Sequence, residues 1–429
     1  MPVLHTFIVI IYCVIMPIME RPELLAPAGN MEKLKTAIHF GADAVYLSGK
    51  MYGLRAAAGN FSYGEMKEGV EYAHKRGVKV YATVNIFFHN NDIEGLPEYL
   101  DYLGSIGIDA VIISDPGVVA LAQEIIPDME IHISTQANTT NWRGADFWKK
   151  NGAARVNLAR ELSLEEIREL KTKTAIEIET FVHGAVCMAY SGRCHLSSHM
   201  TGRNANYGDC THSCRWEYTI KEAKRPSEEF DVEEDQRGTY FFNSKDLCMI
   251  EHIPALISAG IDSLKIEGRA KGVNYVAGTV RSYRLALDSY FENPEKYGFN
   301  QAWLDELQKL SHRNYDTGSF FGKEGGALTD SSYIRSYDFV GVAKKRIDEN
   351  RILIEARNKL EVGDVLEILG KSNQIKSFKL DKIIGPEGED LSVAQPGQLF
   401  FIETGINIEP LDILRKQKEQ TIHGDKKNV

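Results

Sequence analysis

The feature that most constrains the fold is a turn that recurs along the chain. ADAV at 42–45, IDAV at 108–111 and IDSL at 261–264 each follow a helical stretch that ends in glycine. Glycine closes a helix in the left-handed conformation, and the apolar pair after the aspartate starts a buried strand. Short apolar runs alternate with amphipathic stretches throughout this region. Strands are expected at Leu24–Ala26, Ala44–Ser48, Lys79–Asn85, Ala110–Ser114, Ile131–Thr135, Arg155–Ala159, Ile176–Val182, Tyr240–Asn243 and Ser263–Glu267. Helical patterns such as EKLKTAIHFG and SLEEIRELK lie between them, the second opening on a Ser163–Glu166 capping box. Repeated βα units imply a parallel sheet, and eight or nine of them favour a TIM-like (β/α)8 barrel over an open sheet. Nine candidates for eight places leave one outside the barrel. Tyr240–Asn243 is the weakest, because it follows a charged excursion at Glu217–Gly238.

The pattern changes after Asn293. QAWLDELQKLSHRNY reads as a helix, and from Tyr337 short strands take over. The organisation expected is an apolar extension at 1–19 and a barrel at 20–293 with a cysteine-rich segment at 183–238. A helical linker at 294–332, a small all-β barrel at 333–414 and a polar tail at 415–429 complete it. Phe7 to Met16 is an unbroken apolar run too short to span a bilayer. No Lys or Arg precedes it and no small-residue cleavage site follows, unlike a signal peptide. A start at Met16 or Met19 is the expectation, a membrane-associating N-terminus the alternative. Cys13 is given no role.

Four of the six cysteines crowd into one stretch: Cys187, Cys194, Cys210 and Cys214, while Cys13 and Cys248 stand apart. Disulfides are disfavoured, since a chain of 429 residues buries a sizeable core without staples. Structural zinc usually takes paired short knuckles, and only Cys210 and Cys214 could form one. The radical pattern Cys-x3-Cys-x2-Cys fails at Glu217. Four thiolates at irregular spacing suit an iron–sulfur cluster, which needs only convergence in space. The cysteines follow the strand Ile176–Val182, at the end of a barrel where such folds carry their active sites.

The stretch ETFVHGAVCMAYSGRCHLSS, from Glu179, resembles the signature of the U-32 collagenase-like peptidase family. ELLAPAGNMEKLKTAIHFGADAVYLSG and SLKIEGRAKGVNYVAGTV resemble that family too, so the likeness spans roughly Pro22 to Asn293, with a family-like tail. The better understood members are oxygen-independent hydroxylases carrying a [4Fe-4S] cluster, acting on wobble uridine of tRNA, on a cytidine of ribosomal RNA or on ubiquinone precursors. CTHSCRW, NSKDLC and the tail after Ser331 look most like the tRNA branch. That branch forms 5-hydroxyuridine, with prephenate as hydroxyl donor. The resemblance therefore implies a cytoplasmic bacterial enzyme with tRNA, a small-molecule donor and an electron donor as partners, and no stable membrane partner. Cys187, Cys194 and Cys210 are the expected ligands. Cys214 is preferred as the fourth because it shares a short segment with Cys210 and matches the tRNA branch, with Cys248 as the alternative.

Strand ends supply the other candidates. Glu179, inside a strand and pointing into the barrel, is a catalytic candidate, or else half of a buried ion pair. His183 on the following loop could donate a proton or simply pack. Glu267 and Arg269 end the strand of KIEGRAKG, with Lys265 on the same face. Arg269 and Arg160 suit bidentate capture of a donor carboxylate, or a rim salt bridge. Gln136 and Asn138 could read a base edge or order a loop; Arg55 and Asn60 are further rim candidates. Arg193 and Arg203, between cysteines, could meet phosphate or tune a cluster. The formal charge of −10 is awkward for an RNA enzyme. Residues 187–225, however, hold six Arg or Lys against three acids, so a local basic face is open.

Three function classes compete: hydroxylase, peptidase, and a non-catalytic RNA-binding module with structural zinc. The chain contains no G-x-S-x-G and no H-E-x-x-H. A cysteine committed to iron cannot also attack a carbonyl.

Overall fold

The computed structural model describes residues 20–54, 59–186, 191, 194, 196–216, 234–235, 238–239, 245–322 and 334–418. The apolar extension, Tyr240–Asn243, Arg55, Cys187 and Arg193 lie outside the described residues. Eight parallel strands close into a barrel: Glu23–Pro27 (β1), Ala44–Leu47 (β2), Lys79–Val84 (β3), Ala110–Ile113 (β4), Glu130–Ile133 (β5), Arg155–Asn157 (β6), Glu177–Ala185 (β7) and Ser263–Ile266 (β11). Closure is the β11–β7 pairing, Ser263 opposite Glu179. Among the described residues between β7 and β11 lie three short strands, Glu234–Asp235 (β8), Gly238–Thr239 (β9) and Asp246–Cys248 (β10). The expected TIM-like barrel is thus present.

Helices wrap the outside: Met31–His39 (α1), Tyr63–His74 (α2), Asn90–Ile93 (α3), Leu96–Ser105 (α4), Pro116–Ile125 (α5), Trp142–Lys150 (α6) and Leu164–Lys173 (α7). After the cysteine segment helix Leu196–Thr201 (α8) come Ile253–Ser258 (α9), Val273–Glu292 (α10) and Gln301–Gln308 (α11). The capping box that opens α7 forms both of its hydrogen bonds. The recurring turn has a second function not visible in its spelling. The carboxylates of Asp43, Asp109 and Asp262 accept from Leu24 N (2.8 Å), Val80 N (2.7 Å) and Ile178 N (2.7 Å), near the start of the neighbouring strand. Each turn thereby fixes strand order and satisfies a buried N–H.

Apolar side chains on the outer face of the strands join those of the helices in one large core. The barrel interior is different: Leu25, Ala44, Tyr46, Tyr81, Ala110 and Ile112 pack there beside a charged network. From Tyr337 to Gln417 the chain forms an eight-stranded antiparallel sheet, a half-barrel with its own core. It is seated on the first domain, because Val342, Leu369 and Ile413 belong to the barrel's outer core. Arg415, fully buried, bridges Glu306 of α11 and Glu367 of the sheet. No helix among the described residues is long and apolar enough to cross a membrane.

Candidate active site at the barrel mouth

Strand β7 has nine residues and outruns the barrel. Beyond the point where the other strands end, β10 joins it antiparallel, Cys248 opposite His183 and Asp246 opposite Ala185. His183 therefore lies within a sheet and is buried, not on a loop as its place after an apolar run suggested. The chain leaves through Gly184 at φ +106°. A Cβ there would stand 2.6 Å from the carbonyl oxygen of Glu267 and 2.9 Å from the Tyr275 hydroxyl. Glycine is required, and its absence of side chain lets the ends of β7 and β11 touch.

On the inward face of β7, Glu179 is 1% exposed and accepts from Lys265 Nζ at 2.6 Å, with Arg155 at 3.5 Å. Burial pushes its carboxyl up, but Lys265 and then Arg155 outweigh it and hold the group below the usual carboxylate range. Glu179 is thus an ionised member of a barrel-spanning network, in which Arg155 also reaches Glu23 (2.6 Å) and Glu177 (2.8 Å). Two residues further along the same face, Phe181 carries the Arg160 guanidinium over its ring at 4.2 Å. Arg160 NH2 stands 3.8 Å from Glu267 Oε2, both groups mostly shielded from solvent. Arg269 is buried. Its NH1 donates to Thr83 Oγ1 (2.9 Å) and its carbonyl accepts from Lys33 Nζ (3.1 Å). The structure thus brings Arg160 and Glu267 together at the mouth, with Arg269 buried beside them and Glu179 one inward layer deeper in the barrel.

His183 is enclosed by Tyr275, Tyr283 and Tyr315, with ring centroids 5.4–5.9 Å away. Burial, then the charges of Lys271 and His312, push its imidazole down to about 3. It is neutral at physiological pH, so it can accept or donate a hydrogen bond but is no cationic acid. Cys248 lies within β10. Burial pushes its thiol up to about 12.

The cysteine segment covers the same end of the barrel. Ser191 N donates to Glu161 Oε1 (2.8 Å), Phe87 N to Asn206 O (3.1 Å) and Tyr207 OH to Asp92 (3.3 Å), tying the segment to the ends of β6 and β3. Cys194, Cys210 and Cys214 are half-buried and outside any disulfide. Cys210 Sγ accepts from His212 N at 3.4 Å. Arg203 is engaged with Asp209 rather than poised alone. Gln136 and Asn138 sit in the turn after β5, where Asn138 at φ +54° closes a 3-10 turn. That geometry favours the loop-ordering reading of Asn138.

A model of the family described as peptidase family U32 matches residues 29–330, and one of the U32 C-terminal domain matches 335–415. The chain belongs to peptidase family U32. Among its relatives, tRNA hydroxylation protein P1 of Bacillus subtilis is 42% identical, over 94% of this chain and 96% of its own. The tRNA hydroxylation protein P of Escherichia coli is 37% identical, over 90% and 93%. The 23S rRNA 5-hydroxycytidine C2501 synthase of E. coli is 38% identical over 85% of this chain, which spans 55% of that protein.

The donor set of this U32 chain fits a thiolate-bound group in its chemistry: three half-buried thiols at the mouth, one already receiving a backbone N–H. Among the described residues no three His, Cys, Asp or Glu side chains are gathered as a metal site. Cys187, the first cysteine of the pattern, lies outside them. Several polar residues of the mouth were not singled out from sequence: Thr83 beneath Arg269, Asn85 donating to Ser134 Oγ (3.1 Å), and Asn157 ending β6. The available signal was a polar side chain at the C-terminal end of an apolar strand.

Proposed function

We propose that this chain is an iron–sulfur-dependent, oxygen-independent RNA hydroxylase forming 5-hydroxyuridine at the wobble position of tRNA, with prephenate as hydroxyl donor. The observation that carries the reading is its similarity, over nearly the whole of both chains, to a protein named for tRNA hydroxylation. The mouth has groups suited to the task. Arg160 and Arg269 can each take a carboxylate in a two-pronged hydrogen bond, and their shielding from water strengthens that attraction. Glu267 Oε2 stands 3.8 Å from Arg160 NH2, so an incoming carboxylate would compete with it for that guanidinium. Cys187, Cys194, Cys210 and Cys214 would hold a [4Fe-4S] cluster, which supplies one-electron redox chemistry when bound. His183, neutral and enclosed, is suited to hold a proton in a hydrogen bond rather than deliver it as an acid. An electron donor would dock from the cytoplasm, where tRNA is modified.

Ribosomal RNA is the second substrate reading, favoured by the relative that makes 5-hydroxycytidine. Expression in a host stripped of its own wobble-uridine hydroxylases tests both. Nucleoside mass spectrometry of separated tRNA and ribosomal RNA should show 5-hydroxyuridine in tRNA. Product confined to ribosomal RNA would move the assignment there, and product in neither would overturn it.

A further inference from the structure

Asn157 ends β6. Strand alternation places Arg155 and Asn157 on the same side, and Arg155 reaches across the barrel interior to Glu23. Val156 between them faces the outer core. Asn157 is therefore inside the barrel, 2% exposed, and its Oδ1 is buried with no hydrogen-bond partner. Its register partner on β7 is Glu179, whose Oε2 is also buried without a hydrogen bond, Arg155 NH1 standing off at 3.5 Å. Lys265 Nζ donates to the other carboxylate oxygen. Phe181 and Arg160 lie one inward layer closer to the mouth. Two neighbouring acceptors without donors, beside a lysine and directly beneath the arginine layer, form a floor with unmet hydrogen-bonding capacity. Buried acceptors of this kind cost free energy unless something occupies them.

We propose that Asn157 is a specificity residue, reading with Glu179 and Lys265 the N3–O4 edge of a pyrimidine base inserted into the barrel mouth; this rests on the RNA hydroxylase reading above. A primary amide matches that edge: its oxygen accepts from uracil N3–H and its nitrogen donates to the adjacent carbonyl. A base held so leaves the C5–C6 side of its ring uncovered. Insertion requires the base to leave its stack, which costs least in an unpaired loop. Asn157 touches substrate but has no part in bond making.

The test uses the full chain, intact and as Asn157→Leu and Asn157→Ser. Binding is measured at one salt concentration to an RNA hairpin with uridine in its loop and to the same hairpin with 3-methyluridine, which lacks the N3–H. Thermal midpoints are recorded in parallel. The intact chain should prefer uridine about tenfold to a hundredfold, and the variants should bind both hairpins alike. Asn157→Leu removes an unpartnered polar atom, so its midpoint should hold or rise, whereas a structural hydrogen bond would make it fall. Variants that keep the uridine preference would overturn the proposal while leaving the hydroxylase reading intact. So would an intact chain that hydroxylates tRNA without discriminating between the hairpins. An intact chain that binds neither hairpin and forms no 5-hydroxyuridine in the host would overturn the hydroxylase reading, and this inference with it.

Discussion

Replacing Lys265 with methionine tests whether Glu179 is held ionised by its partner. At 2.6 Å the pair attracts by about 6 kcal/mol at an effective dielectric near 20, before desolvation is subtracted. Removing one partner of a buried pair costs about 3–5 kcal/mol, because the remaining charge is stranded. Arg155 at 3.5 Å offers partial relief, which argues for the lower half of that range. The pH dependence carries a sign. In the intact chain Glu179 titrates below its unfolded value, so it contributes stability above that value that is lost as pH falls through the folded pKa. Without Lys265, burial dominates and the folded carboxyl rises above the unfolded one. Its penalty is then full at neutral pH and shrinks as the group takes a proton on acidification. Urea midpoints should therefore differ from the intact chain more at pH 7 than at pH 5. Glu179→Gln in the same background should recover most of the loss. A cost under about 1 kcal/mol at pH 7, or a loss independent of pH, would refute the reasoning.

Two other positions give independent checks. Gly184→Ala should lose more than about 1 kcal/mol through its φ of +106° alone, and more through the clash with the Glu267 carbonyl. Its thermal midpoint should fall, and product formation with it. His183→Phe should flatten the acid limb of stability. Between its ordinary value near 6.5 and about 3, the unfolded chain takes up a proton that folded His183 refuses. Unfolding free energies from urea titrations between pH 4 and 6 should lose close to one proton of slope, about 1.4 kcal/mol per pH unit.

The barrel was legible because its signals are local. A glycine stop, an aspartate turn and a four-residue apolar run lie within a dozen positions, and eight of the nine expected strands are found in place. What the interior does was less so. Glu179 could be read as catalytic or as paired, since its partners Lys265 and Arg155 stand 86 and 24 positions away and meet it only on closure. Asn157 and Thr83 fell inside the expected strands Arg155–Ala159 and Lys79–Asn85, where a lone polar residue carries no signal of its own. His183 was misplaced because β10, which extends the sheet around it, follows a long excursion and is three residues long. The second domain was visible as a run of strands, but not its seating: Arg415, expected to open the polar tail, lies in the strand Ile413–Gln417 and is buried against Glu306.

The most direct measurement of the central claim is 5-hydroxyuridine formed in tRNA by the purified chain, anaerobically and with prephenate, alongside iron content. The intact chain would be compared with single serine replacements of Cys187, Cys194, Cys210, Cys214 and Cys248. The account predicts that the first four lose both iron and product while keeping a folded barrel, and that Cys248→Ser keeps both. Product from a chain without iron, or from Cys187→Ser, would contradict it.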